Sequence, residues 1–294
     1  RLASLLIFFS TILFTVAQLV ASGNIIKTIT GLSNYISVIV VGLVFLLFTI
    51  KGGMKAVAWT STLTSVLILV GVYILMFAIL KKTGGIWNIH KILSETEPTA
   101  LDPFAGGQIS VGLAISWCLT WGIGNFGLPQ VITKFNSCKD ERVAKYSMGV
   151  SGIAFIAFYL PLMIIGLGMK IISPGVTNTD SIAAIAILKM VHPIMSAILG
   201  AAISTGDAVL LQAGTTATRD IYQKYINKNA DSKSLLKISK LSTMAVGIIA
   251  IVLSLFNSTT VLMIQANMVG ILGSMLAMTV ILGFSWKRSN AQGG

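Results

Sequence analysis

The chain has 294 residues, of which 55% are hydrophobic and only 10% charged, with a formal net charge of +12 and a mean hydropathy of +0.88. An ordinary soluble domain carries about 25% charged residues, so a water-soluble globule is excluded. The fold class is an all-α, polytopic transmembrane helical bundle. In such a chain the excess of Lys and Arg bears on orientation in the bilayer, and no nucleic-acid partner is expected.

Roughly 20 apolar residues suffice to cross a bilayer. On that basis about eight spanning helices are predicted, near 2–22, 33–50, 56–80, 109–132, 147–170, 194–217, 236–256 and 260–286. Gly52-Gly53, flanked by Lys51 and Lys55, predicts a tight turn between the second and third spans. Residues 81–108 form a polar loop and residues 134–145 a charged one. The stretch 180–191, short and closed by His192-Pro193, predicts an interfacial or re-entrant helix. Residues 217–226 continue the sixth span, a polar linker follows to Lys233, and Asn257-Ser258-Thr259 separates the last two spans. With alternate loops on opposite faces, fifteen of the 21 Lys and Arg residues fall on the face that holds both ends. The positive-inside rule then makes both ends cytoplasmic, in a multi-pass protein of the cell membrane. The chain begins with Arg1 and stops at Gly293-Gly294 directly after a span, as an internal piece of a longer protein would.

Polar residues that are costly to place in a bilayer locate its chemistry. Eight of the nine acidic residues lie in loops; the exception is Asp207, in the run Gly200 to Ala208. At helical spacing Ala201, Ser204, Thr205 and Ala208 share a face, and Asp207 borders it. Hydroxyls with a freed backbone carbonyl suit a hard monovalent cation, whereas the same small residues also serve close helix packing. In the fourth span Gly122, Gly124, Gly127 and Pro129 weaken the helical ladder. This is either a kink with glycine packing or an interrupted helix of the kind that marks a transporter binding site. Gln18, Asn125, Gln212, Gln265 and Asn267 add uncharged polar groups within spans. Cys118 and Cys138 lack the spacing of a metal cluster or disulfide framework.

These residues carry a family resemblance. The stretches Gly52-Gly53-Met54-Lys55-Ala56-Val57-Ala58-Trp59-Thr60, Trp121 to Pro129, Ala201 to Thr205 with Thr218-Arg219-Asp220-Ile221-Tyr222, and Trp286-Lys287-Arg288 resemble, in order, those of the sodium/solute symporter family. The likeness is nearest to its pantothenate and proline branches. It implies an incomplete inverted-repeat transporter fold in a single domain over 1–294. Residues 1–80 would be helices three to five of the first repeat and 109–286 the second repeat. It also implies Na+ as coupling ion and no other cofactor. Ala201 through its carbonyl, and Ser204 and Thr205 through their hydroxyls, match the sodium site; Trp121, Asn125, Pro129 and Gln265 match substrate positions. Where the family often has an aspartate that serves a second sodium site, this chain has Ser61; either Asp207 supplies that carboxylate from the facing helix, or the second site is absent and Asp207 serves helix packing or gating.

The resemblance thus implies a secondary transporter that couples inward sodium flux to uptake of a small organic acid or amino acid. The alternative is a transporter-like sensor domain of a signalling protein. An enzyme is not expected, because His90 and His192 lie at or beyond helix ends and Asp207 has no partner carboxylate within a span.

Overall fold

The computed structural model describes residues 2–136, 138–176, 178–190, 209–256 and 259–286, which are helical with no strand among them. Helix α1 is Leu2–Thr30 and α2 is Asn34–Thr83. Helices α3 (Ile86–Thr96), α4 (Val111–Gly122), α5 (Pro129–Asn136), α6 (Glu141–Ile172) and α7 (Ile182–Met190) follow. Helix α8 covers residues 209–226, its last eleven residues, Thr216–Ile226, being wound as a π-helix. Helix α9 is Ser232–Leu255, and α10 comprises Val261–Leu272, a π-turn at Gly273–Ala277 and Met278–Ser285. Five stretches are long and apolar enough to span: Ser4–Thr28, Ser61–Thr83, Glu141–Ile172, Ser232–Leu255 and Val261–Gly283. Asn34–Ile50 and Val111–Gly122 are shorter apolar helices.

Polar side chains mark the helix starts. Ser33, Ser110, Asp140 and Asp231 accept the amides of Ile36, Leu113, Val143 and Ser234, each satisfying one of the donors a helix N-terminus leaves open. The expected loop at Gly52-Gly53 is instead helical backbone within α2. Glycine lacks a Cβ but keeps its N–H, so a pair of them costs about 1 kcal/mol each relative to alanine without cutting the ladder.

Two apolar cores share α2. Its first half puts Val41, Phe45 and Leu46 against Ile12 and Val16 of α1, Leu210 of α8 and Val246 of α9. Its second half puts Val72, Met76 and Ile79 against Ile165 and Met169 of α6 and Ile187 of α7. Helix packing within a bilayer gains little from the hydrophobic effect and depends on close approach. A Cβ on Gly23 would accordingly lie 2.6 Å from the Val38 side chain. The segment expected at 180–191 is a 3-10 turn, Thr179–Ser181, leading into α7, whose Ala184, Ala186 and Ile187 are fully buried.

Candidate functional site

The fourth apolar segment does break. Helix α4 ends at Gly122, a 3-10 turn occupies Gly124–Gly127, and α5 restarts at Pro129, where a missing N–H is harmless. The break docks on the π-turn of α10, backbone to backbone. A Cβ on Gly273 would come within 2.5 Å of the Gly124 Cα, and one on Gly127 within 2.8 Å of both the Ala277 nitrogen and the Leu272 oxygen. Glycine is required on both sides of this contact. Two irregular backbone segments, each with groups freed from the i→i+4 pattern, therefore meet between α4 and α10.

Around this junction the expected substrate residues occupy distinct roles. Trp121 is half-buried and packs on the cluster of Leu128, Met268, Val269 and Leu272. Asn125 turns its amide back to donate to the Trp121 carbonyl, closing the broken turn. Pro129 is buried at the start of α5. Gln265 is half-buried on α10, one turn before Met268 and Val269 and on the same stripe, so helical register sets it beside the Trp121 packing surface. The sodium candidates Ala201, Ser204, Thr205 and Asp207 lie outside the described residues. The helix of residues 209–215 that follows them in sequence lies in the first core, with Val209, Leu210 and Ala213 at most 2% exposed. Ser61 is half-buried in α2, and its carbonyl accepts from Ser65 Oγ at 2.7 Å.

The structure sets Gln18 and Asn267 among further polar groups that the sequence did not single out. Helix α1 carries a buried polar seam, Thr11, Thr15, Gln18 and Ser22, at the spacing of one helix face. Thr15 bonds back to the Thr11 carbonyl at 2.8 Å, whereas Ser22 Oγ is buried with no hydrogen-bond partner among the described residues. Beside the break, α1, α4 and α10 enclose an open cleft of about 700 Å3 whose lining includes Ser116, Trp117, Thr120, Asn267 and Ser274. A third feature ties α10 to α7. The Asp180 carboxylate accepts the Val261 amide at 3.1 Å, capping α10 from a distant element, while Thr260 at the N-cap makes no side-chain cap bond. Its negative charge also complements the helix dipole. Glu97 and Lys170 pair at 2.5 Å on the partly exposed surface, and Lys189 donates to Ser173 Oγ at 2.7 Å. Among the described residues no three His, Cys, Asp or Glu side chains converge as a metal site would require.

Two loop carboxylates are electrostatically tuned. Asp102 accepts the amides of Phe104 and Gly106 at 3.0 and 2.8 Å, and these bonds hold its carboxyl below the ordinary range. Asp231, capping α9, is held low first by its bond to Ser234.

The family model described as the sodium:solute symporter family matches residues 1–294. The chain belongs to that family. It is 26% identical over 298 residues to the osmoregulated proline transporter OpuE of Bacillus subtilis (strain 168), a match over 98% of this chain and 60% of the relative. A solved structure of a Na+-coupled sialic acid symporter, in a substrate-bound outward-open state, superposes with a TM-score of 0.73 at 18% identity. That match covers 98% of this chain and 64% of the other. The chain thus has the fold of this transporter family and spans about three fifths of the length of these relatives. Both members are transporters and neither is an enzyme.

Proposed function

We propose that the full protein couples inward Na+ movement to the uptake of a small organic solute, an organic acid such as pantothenate or an amino acid, by alternating access. The observation that carries this is the broken α4–α5 segment seated on the π-turn of α10, because interrupted helices supply free amides and carbonyls where carriers bind their cargo. Family membership and the relationship to a proline transporter support it.

In this scheme the Ala201 carbonyl and the Ser204 and Thr205 hydroxyls hold Na+, with Asp207 supplying the carboxylate that Ser61 lacks. Trp121, Asn125, Pro129 and Gln265 surround the solute. Sodium binding favours the state that also binds solute, and the two are coupled only to the extent that they prefer the same state. Residues 1–80 belong to the first inverted repeat and 109–286 to the second. Both ends face the cytoplasm, in keeping with the distribution of Lys and Arg.

The test is uptake of proline, pantothenate, acetate, a sialic acid and a hexose into vesicles bearing the full-length protein, with and without an inward sodium gradient. Sodium-dependent accumulation of one solute, abolished by Ser204→Ala/Thr205→Ala, is expected. Equal accumulation without sodium, or none of any solute by a folded protein, overturns the reading. Under the same scheme Asp207→Asn lowers the number of sodium ions moved per solute; an unchanged ratio removes Asp207 from it.

A further inference from the structure

The stretch from Arg219 to Lys240 carries six cations and two carboxylates, Asp220 and Asp231. Three of the cations share one face of α9. Lys233, Lys237 and Lys240 follow one another at i, i+4 and i+7, and all three are exposed. Lys145 and Lys170 each pair with a glutamate, at 2.7 and 2.5 Å. The three on α9 have no carboxylate three or four residues away, and no ion pair among the described residues. In isolation this arrangement is unfavourable. Like charges one turn apart destabilise a helix, and cations in its first turns oppose the positive end of its dipole. An anion lying along the face offsets both effects.

The way the face continues identifies that anion. Extended toward the C-terminus, the same row reaches Met244, Ile248 and Val252, which are 41, 51 and 47% exposed. Val246 and Ala250, on the opposite side, belong to the first core. Helix α9 is long and apolar enough to span, so its exposed apolar row faces acyl chains. Lys233 to Lys240 rise about 10 Å, comparable with a headgroup layer, which is roughly 5–8 Å deep on each side of the hydrocarbon. A lysine stem is also long enough to lie on apolar surface while its ammonium reaches the phosphates. A free anion would use the lysines alone, whereas a phospholipid uses the whole row.

We infer that this face of α9 is a binding site for an anionic phospholipid. Its phosphodiester is held by Lys233, Lys237 and Lys240, and an acyl chain lies along Met244, Ile248 and Val252. Lysine offers a compact point charge and no planar fork, so the face selects net negative charge. A zwitterionic headgroup brings its own cation and binds less.

The experiment uses the full-length protein, purified in detergent and freed of lipid. It is titrated with phosphatidylglycerol (anionic) or phosphatidylcholine (zwitterionic) of identical acyl chains, and with glycerol 3-phosphate or inorganic phosphate; native mass spectrometry counts the bound molecules. Phosphatidylglycerol is expected to bind about tenfold more tightly than phosphatidylcholine, and the two free anions far more weakly than either lipid. Lys237→Gln/Lys240→Gln is expected to weaken phosphatidylglycerol binding roughly fivefold per lysine removed, and Lys237→Arg/Lys240→Arg to retain it. Lys224→Gln/Lys228→Gln removes the same charge from the end of α8 and the linker, and is expected to change binding by less than about twofold. In the lipid-free protein Lys237 should react with an amine reagent, and phosphatidylglycerol should slow that reaction. Equal affinity for the two lipids overturns the inference, as does an equal loss in the two glutamine variants, which would mean bulk charge and no defined face. So does binding of glycerol 3-phosphate as tight as that of the lipid, or a Lys237 that is unreactive before lipid is added because another segment or a second copy covers it. Uptake plays no part in these readouts. A protein that binds the lipid and transports nothing leaves this site standing, and one that transports without a lipid preference removes this site alone.

Discussion

Two apolar segments among the described residues contain a proline, and one of them is interrupted. Helix α6 runs from Glu141 to Ile172 past Pro161, losing one backbone bond and remaining a single helix. The segment from Val111 to Asn136 stops at Gly122, turns through Gly124–Gly127 and resumes at Pro129. Gly52-Gly53 in α2 also stays helical. Glycine and proline therefore permit a break without compelling one. What distinguishes 122–129 is its neighbour, a π-turn whose own glycine allows the two backbones to touch.

The sharpest way to break this comparison is Gly273→Val. Its side chain would have to displace the Gly124 backbone, so a loss of about 3 kcal/mol in stability is expected, read as a fall in melting temperature in detergent. Pro161→Ala, which restores a helical N–H, should be neutral or stabilising in the same assay. A Gly273→Val protein as stable as the parent would show that the contact between the segments does not hold the break. A smaller effect is expected from Asn125→Leu, which leaves the Trp121 carbonyl without its donor and costs about 1–2 kcal/mol; denaturant unfolding measures it. Next comes Asp180→Ala, which uncaps α10 for about 1 kcal/mol. Faster amide hydrogen exchange confined to the first turn after Val261 would register that loss, and Asp180→Asn, which retains an acceptor, should restore part of it. The smallest effect concerns pH. Asp102 and Asp231 have lowered pKa values in the folded protein, so their contribution is complete above the ordinary carboxylate range and is lost as pH falls through the lowered values. The melting temperature should therefore decline below about pH 4, and less steeply in Asp102→Asn/Asp231→Asn.

Much of this architecture was legible in the sequence because apolar run length is a local property. The spans in α1, α6, α9 and α10 follow from it, and Gly122, Gly124, Gly127 and Pro129 marked where a kink or a break could fall, without deciding between them. The π-turns at Thr216–Ile226 and Gly273–Ala277 were not legible. An i→i+5 bond leaves the apolar pattern intact while shifting which side chains share a face. Nor could the pattern at Gly52-Gly53 distinguish a loop from a helix, since glycine permits both. The sequence placed Asn125 at a substrate position by resemblance, but the bond of its amide to the Trp121 carbonyl was not legible there. Ser116 and Thr120 escaped notice, and Asn267 stood only as one uncharged polar residue among several, because a lone polar residue on an apolar helix gains meaning only once its facing wall is known. The sodium candidates Ala201 to Asp207 lie outside the described residues, so their arrangement rests on the family pattern alone.

The bond from Val261 to Asp180 spans 81 positions of sequence, which has a consequence for how the molecule is made. During synthesis the carboxylate is produced long before the amide that needs it. When the first turn of α10 forms, its acceptor is already anchored by α7, whose Ala184, Ala186 and Ile187 are packed out of reach of solvent. The first turn of α10 thus meets an acceptor that the earlier chain has already set in place.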